Sequence, residues 1–313
     1  MPQDGVLILD KPAGITSRRA AERVRAIAGG AKAGHAGTLD PLATGVLVVC
    51  LDRATLLTSY LGGGTKRYHV DALLGTSTDT YDVDGNVVSR RDASRFTAEA
   101  VEGALSDFAG EIEQVPPPFS AVKHQGRPLY RYAREGAHIP NITRTVTIEE
   151  LTLEGLAPGE AGPVARLVVA CGPGTYVRSI VHDLGEKLGC GACVASLRRT
   201  ASGEFSIDDS VSLDELEKLP AGSAASRAMS IEEATRGMPS IAVEGELADA
   251  VAMGKPLESG AAQVPPDGVF RVLDGAGSLI ALYGPARPDD EGIEARAVRV
   301  LRPWREGNSG EAA

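Results

Sequence analysis

No apolar run in this 313-residue chain approaches the ~20 residues that a bilayer-crossing helix needs. Its first residues, MPQDGVLILDKP, lack the basic start and small-residue cleavage site of a secretory leader. Four cysteines are too few for a disulfide framework in so long a chain. The expected location is therefore the cytoplasm, with no membrane partner. The glycine clusters GGAKAGHAG and LGGGTK match neither the phosphate-cradling GxxxxGK[ST] pattern nor the dinucleotide pattern GxGxxG. Hydrolase GxSxG and metalloprotease HExxH are also missing. Cys190 and Cys193 form one CxxC, but no second CxxC exists to complete a zinc site. Free cysteine usually serves as a small hydrophobe, the better reading here. No nucleotide cofactor and no metal are expected.

What is present is an ordinary globular composition, 43% hydrophobic and 24% charged, in a length that allows two domains. The net charge of −10 speaks at first against nucleic acid. The distribution of that charge points the other way. Residues 1–135 carry 16 Lys and Arg against 16 Asp and Glu, whereas residues 206–313 carry 10 against 19. The acidity belongs to the last third, leaving the first two thirds free to carry basic surfaces.

GVLILD at the start reads as a strand, followed by a KPAGITS turn and a helix capped by Ser17, with Ala20, Val24, Ile27 and Ala28 on one face. KRYHVDALLG reads as a strand and TDTYDVDGNVV as a polar turn. Thr97 caps a helix that places Val101, Leu105 and Phe108 on one side. The prolines of QVPPPFSAVKHQG forbid a helix. RTVTIEELTL and ARLVVACG read as strands, and TYVRSIVHDLGEKLG is the clearest helix of the chain. From Ile241 onward the pattern becomes short and turn-rich. Strands and helices alternate without regular βαβ spacing, which predicts a mixed α/β sheet over a doubly wound one.

The segment GHAGTLDPLATGVLVVCL sets Asp40 between small residues and a continuous apolar run that suits a strand buried on both faces. A carboxylate beside such a strand is costly to desolvate unless something pairs with it or uses it, although capping a turn is its plainest role. Tyr68 opens one strand, and Tyr176 and Arg178 stand where another strand passes into a helix. Together these supply a carboxylate, a guanidinium able to pair with it and two aromatic faces, the parts needed to grip a planar base beside an acid. Two stretches are basic. RRAAERVR has four arginines and one glutamate, and KHQGRPLYRYAR has Lys123, Arg127, Arg131 and Arg134, two tyrosines and no acid. Interleaved cations and aromatics suit RNA backbone and base stacking.

With those residues in view, the first 205 residues resemble the TruB family of bacterial tRNA pseudouridine-55 synthases. LDKPAGITS is similar to the family's first motif, with Lys11 and Pro12. GHAGTLDPLATGVL is similar to the motif of the catalytic aspartate, which falls on Asp40, with His35 where the family contacts the flipped nucleotide. KRYHV carries the base-stacking tyrosine as Tyr68, and TDTYDVDG the mobile aspartate as Asp82. GTYVRSIVHDLGEKLG carries Tyr176 and the aspartate's partner Arg178. LRRT supplies Leu197 beside the base. The resemblance implies a pseudouridine synthase fold, with a mixed, largely antiparallel sheet flanked by helices over residues 1–240. It also implies a PUA-like β-rich lobe over 241–313, offering Arg296, Arg299 or Arg302 to RNA. The implied activity is cofactor-free isomerisation of uridine 55 in the tRNA T-arm by a monomer.

Two other readings share many of these features: an RNA-binding module with an idle site, and an enzyme for another RNA position. The presence of Asp40, Tyr68, Tyr176 and Arg178 together argues against the first, and the long VPPPFSAVKHQGRPLYRYAREG segment against the second. The tail is expected to be separable, leaving a folded core when residues 241–313 are removed.

Overall fold

The computed structural model describes residues 4–29, 32–220 and 223–301. Strand β1 (Gly5–Lys11) is followed by helix α1 (Ser17–Ile27), β2 (Ala33–Ala36), β3 (Thr44–Leu51) and β4 (Lys66–Leu74). Helix α2 (Ala98–Leu105) precedes β5 (Gly110–Gln114), β6 (Arg144–Ala157) and β7 (Val164–Cys171). Helix α3 (Val177–Leu188) then leads to β8 (Ala192–Ser202). The main sheet runs in the order Val211–Ser212, β1, β3, β8, β4, β7, β6, β5, with β2 also pairing with β3. It is mixed and largely antiparallel: β1 pairs parallel with Val211–Ser212, β3 with β8.

Strand β3 shows why the apolar run of the sequence carries no polar alternation. Its Leu47, Val49 and Leu51 enter one core, and Val46, Val48 and Cys50 enter another on the opposite face. A strand covered on both sides needs no solvent face. The first core takes Ala20 and Val24 of α1, Val101 and Leu105 of α2, and Ile180, Val181 and Leu184 of α3. The helix stripes read from the sequence are therefore the faces that meet the sheet.

One local expectation is corrected and one strand goes unread in the sequence. Thr16, not Ser17, caps α1 by accepting the Arg19 N–H; Ser17 turns inward instead. Strand β8 carries no clear strand signal in the sequence, because Arg198 and Arg199 interrupt its apolar residues. Yet β8 is the central strand, paired with β4 on one side and with β3 on the other.

A second sheet of five strands begins at Ser240 and includes Phe270–Leu273, Leu279–Pro285 and Ile293–Val300. With the helix Gly245–Ala252 it encloses its own core of Val251, Phe270, Val272 and Tyr283. This lobe is not an appendage. Its Leu279 and Leu282, with Leu301 beyond its last strand, join Val6, Ile8, Val46 and Val48 in the second core, sealing the far face of the main sheet. Among the described residues no helix is long and apolar enough to cross a membrane.

Candidate active site

The loop between β2 and β3 is held by contacts on both sides of Asp40. The Ser17 hydroxyl donates to the Leu39 carbonyl at 2.8 Å and accepts the Leu39 N–H at 2.7 Å. Lys11 is fully buried, and its ammonium donates to the carbonyls of Pro12, Ile15 and Pro41. Burial lowers Lys11 to about 8. The Gly14 N–H also reaches the Pro41 carbonyl, at 2.8 Å. The neighbours of Asp40 are thus tied to the KPAGITS turn.

Arg178 comes from the first turn of α3. Its Nε donates to Asp40 Oδ2 at 2.9 Å and its Nη2 to Asp40 Oδ1 at 3.1 Å, a fork on a carboxylate. Its Nη1 donates to the Thr80 carbonyl and its Nη2 also to the Phe119 carbonyl. The side chain of Arg178 is 5% exposed, whereas that of Asp40 is 35% exposed. The cation is hidden behind the carboxylate it orients. The start of α3 is itself braced by Gln114 of β5, whose side-chain amide donates to the Tyr176 carbonyl and accepts the Tyr176 N–H.

A cavity of about 570 Å³ opens onto this pair. Tyr68 from β4 and Leu197 from β8 form part of its wall, with Tyr176 and Asp82 also lining it. Burial raises the phenol of Tyr68 above its usual range, so it stays protonated near neutrality. Burial also raises Asp82, opposed by its hydrogen bond from Thr80 and by the Arg178 charge. The Asp82 carboxylate lies 3.5 Å from Arg178 Nη1. One buried guanidinium therefore faces two carboxylates at the edge of a space with ample room for a flipped nucleotide.

Residues 25–177 match the TruB family pseudouridylate synthase N-terminal domain, and residues 178–230 match the tRNA pseudouridylate synthase B C-terminal domain. The tRNA pseudouridine synthase B of Vibrio parahaemolyticus is 40% identical over 311 residues, covering 96% of each chain. The chain belongs to the TruB family. The Shewanella amazonensis protein of the same name is 50% identical over 216 residues, 69% of this chain and 67% of its own. A crystal structure of a Cbf5-Nop10-Gar1 complex matches with a TM-score of 0.72 at 25% identity, over 96% of this chain and 86% of that one. This TruB-family chain is accordingly a pseudouridine synthase, an isomerase that acts on tRNA.

The TruB-family motifs converge only in part. Asp40, Tyr68, Asp82, Tyr176, Arg178 and Leu197 all line the one cavity. Lys11 does not: no surface of it is exposed, and its ammonium is used by three carbonyls. His35 lines a neighbouring cleft with Arg18, Arg25 and Lys32. Of the basic stretch, Arg134 reaches the cavity wall and lies over the ring of Tyr130. Lys123 and Arg131 are exposed beside it. Arg127 lies over Tyr132 and forms an ion pair with Glu135, one residue past the acid-free stretch.

Two buried cations of the cavity are not among the expected site residues. Lys66 is buried with its ammonium on the carbonyls of Gly62 and Gly64, and Arg199 is 1% exposed. The i, i+2 spacing from Leu197 to Arg199 is the signal that places both on one face of a strand, once β8 is recognised. The four cysteines are buried and unpaired.

Proposed function

We propose that this chain converts uridine 55 in the T-arm of tRNA to pseudouridine, acting as a monomer in the cytoplasm. The observation that carries the reading is the asymmetry of the Asp40–Arg178 pair: a carboxylate held by a two-point fork yet open to a cavity with room for a nucleotide. In this reading the target uridine leaves its stack and enters the cavity, where Tyr68 stacks on uracil and Leu197 packs beside it. The C1′–N1 bond breaks with its electron pair going to uracil, and the base rotates in place. A C1′–C5 bond then forms, the C5 proton passes to solvent, and N1 takes up a proton. Asp40 faces the sugar, as nucleophile at C1′ or base at C2′. The surrounding walls keep the detached base from escaping or meeting water. Tyr176 borders the same space and either holds Asp40 and Arg178 in place or assists loss of the C5 proton, while Asp82 shares Arg178.

Residues 1–240 form the catalytic unit in this reading, and residues 241–313 a PUA-like lobe for tRNA. Lys123, Arg127, Arg131 and Arg134 meet the T-arm backbone, and His35 meets the flipped nucleotide. Within the lobe Arg296 is engaged by Asp290, Arg299 is exposed, and Arg302 lies outside the described residues. The test is tritium release from T-arm RNA labelled at uridine C5, with no cofactor added. Release from position 55 supports the reading. Binding without release, or release only from another uridine, overturns it.

A further inference from the structure

Strand β8 carries two consecutive arginines with opposite fates. Arg198 faces one way and forms an ion pair with Asp10 at 2.8 Å. Arg199 faces the other way, is 1% exposed, and has no carboxylate within ion-pair distance among the described residues. A buried cation without an anion costs several kcal/mol, so a neutral side chain would serve better if filling space were all that mattered.

Its hydrogen bonds show what it is for. Nε donates to the Val46 carbonyl at 2.8 Å, Nη2 to the Gly37 carbonyl at 2.8 Å, and Nη1 reaches the Thr38 carbonyl at 3.4 Å. Gly37 and Thr38 lead into Asp40, and Val46 lies on the strand that leaves it. One guanidinium thus closes both ends of the loop that holds the carboxylate. The main chain of the same residue lies in register with Gly45 of β3 and Tyr68 of β4. Gly45 has φ +98, and a Cβ there would drive into the Arg199 carbonyl. Gly37 has φ +73, a conformation that L side chains rarely adopt. Only arginine offers donors along three directions from one rigid plane, which two carbonyls of the loop and one of β3 require.

We propose that Arg199 is a positioning residue: it sets the distance and angle of Asp40 relative to the fork of Arg178 and to the sugar of the bound nucleotide, without itself contacting RNA. The proposal rests on the reading of Asp40 as the reacting carboxylate. Loop placement matters because a misplacement of about 1 Å can cost a hundredfold in rate.

The experiment measures single-turnover tritium release and tRNA affinity separately for Arg199→Lys, Arg199→Met and Gly37→Ala. Arg198→Gln, which breaks the pair with Asp10 and the longer bond to the Thr44 hydroxyl but none of the bonds to the Asp40 loop, serves as a control expected to keep its rate. Arg199→Lys keeps the charge but cannot span three carbonyls, so its rate should fall about 10–100-fold with the Kd for tRNA within about threefold. Arg199→Met should fall further, so that lysine partly rescues methionine. Gly37→Ala strains the turn whose carbonyl Arg199 holds and should show the same signature, a lost rate with retained affinity. Rates within twofold of the parent in folded variants overturn the proposal. So does a weakened Kd with an unchanged rate, which would make Arg199 an RNA contact. Should both Arg199 variants fail to fold, Gly37→Ala decides by the same two readouts. A parent enzyme that releases no tritium would instead sink the reading of the site as a whole.

Discussion

Ser17 and Leu39, 22 residues apart, share one hydroxyl that both donates to and accepts from the Leu39 backbone within 2.8 Å. The pair is buried, so the residue before Asp40 has no water to replace its partner. Ser17→Ala should cost about 1–3 kcal/mol of stability, the usual penalty for stranding buried backbone groups. It should also lower the rate of uridine isomerisation. A thermal unfolding curve superimposable on the parent's, with unchanged turnover, would mean the loop does not depend on this brace.

Asp40→Asn keeps the shape of the side chain and one acceptor for Arg178 while removing the charge. Turnover should vanish, and tRNA affinity should stay within a few fold. Pseudouridine appearing in a clean Asp40→Asn preparation would remove Asp40 from the reaction.

Lys11 gives a pH signature of known sign. Its ammonium is lowered by burial from the usual 10.5 to about 8 in the folded protein. Between those values the unfolded chain binds more protons than the folded one, so stability rises as pH rises from about 8 to 10.5. Below pH 8 both states are protonated and this contribution is flat. Lys11→Met should lose that rise and should be less stable overall, since three carbonyls lose their donor. Parallel stability–pH curves for parent and variant over that window would show that Lys11 does not titrate there.

Arg127, Arg131 and Arg134 changed together to Ala should weaken tRNA binding and flatten its salt dependence. Each lost phosphate contact lowers the slope of log K against log salt by about 0.7–0.9. The ion pair of Arg127 with Glu135 predicts that Arg127→Ala alone has the smallest effect of the three. An unchanged slope in the triple variant would assign these arginines to a merely solvated face.

Removing residues 241–313 should not leave the intact core that the turn-rich tail suggests. It strips Leu279, Leu282 and Leu301 from the face formed by Val6, Ile8, Val46 and Val48. Burial of each leucine is worth about 1.5–3 kcal/mol, so the truncated protein should aggregate or unfold at markedly lower temperature. A monodisperse truncation with the parent's unfolding temperature would show that the sheet tolerates exposure.

The legible parts of this protein are those where local pattern and tertiary role coincide. The run from Val46 to Leu51 announces a doubly buried strand, and the stripe from Val177 to Leu188 a packed helix. The motif residues Asp40, Tyr68, Tyr176 and Arg178 announce one cavity. Lys11 and Arg199 stay hidden for a shared reason. Lysine and arginine are almost always surface residues, and nothing in the pattern shows that backbone carbonyls will receive them, those of Pro12, Ile15 and Pro41 for Lys11 and those of Gly37, Thr38 and Val46 for Arg199. The lobe looks separable in sequence because a turn-rich pattern shows how a segment is built, not which surface it covers.

The position of β8 has a consequence for how the molecule comes into being. The chain completes β1 and β3, and later β4 to β7, before the strand that joins these two groups has been made. Arg178 follows Asp40 by 138 residues, a delay of about 7–30 s at ordinary synthesis rates of about 5–20 residues per second. Until β8 emerges and inserts between β3 and β4, the two groups have no shared edge, and Arg199 cannot close the loop. A nascent chain is therefore chemically silent: its aspartate is synthesised early but is neither oriented nor enclosed until nearly two thirds of the polypeptide exists.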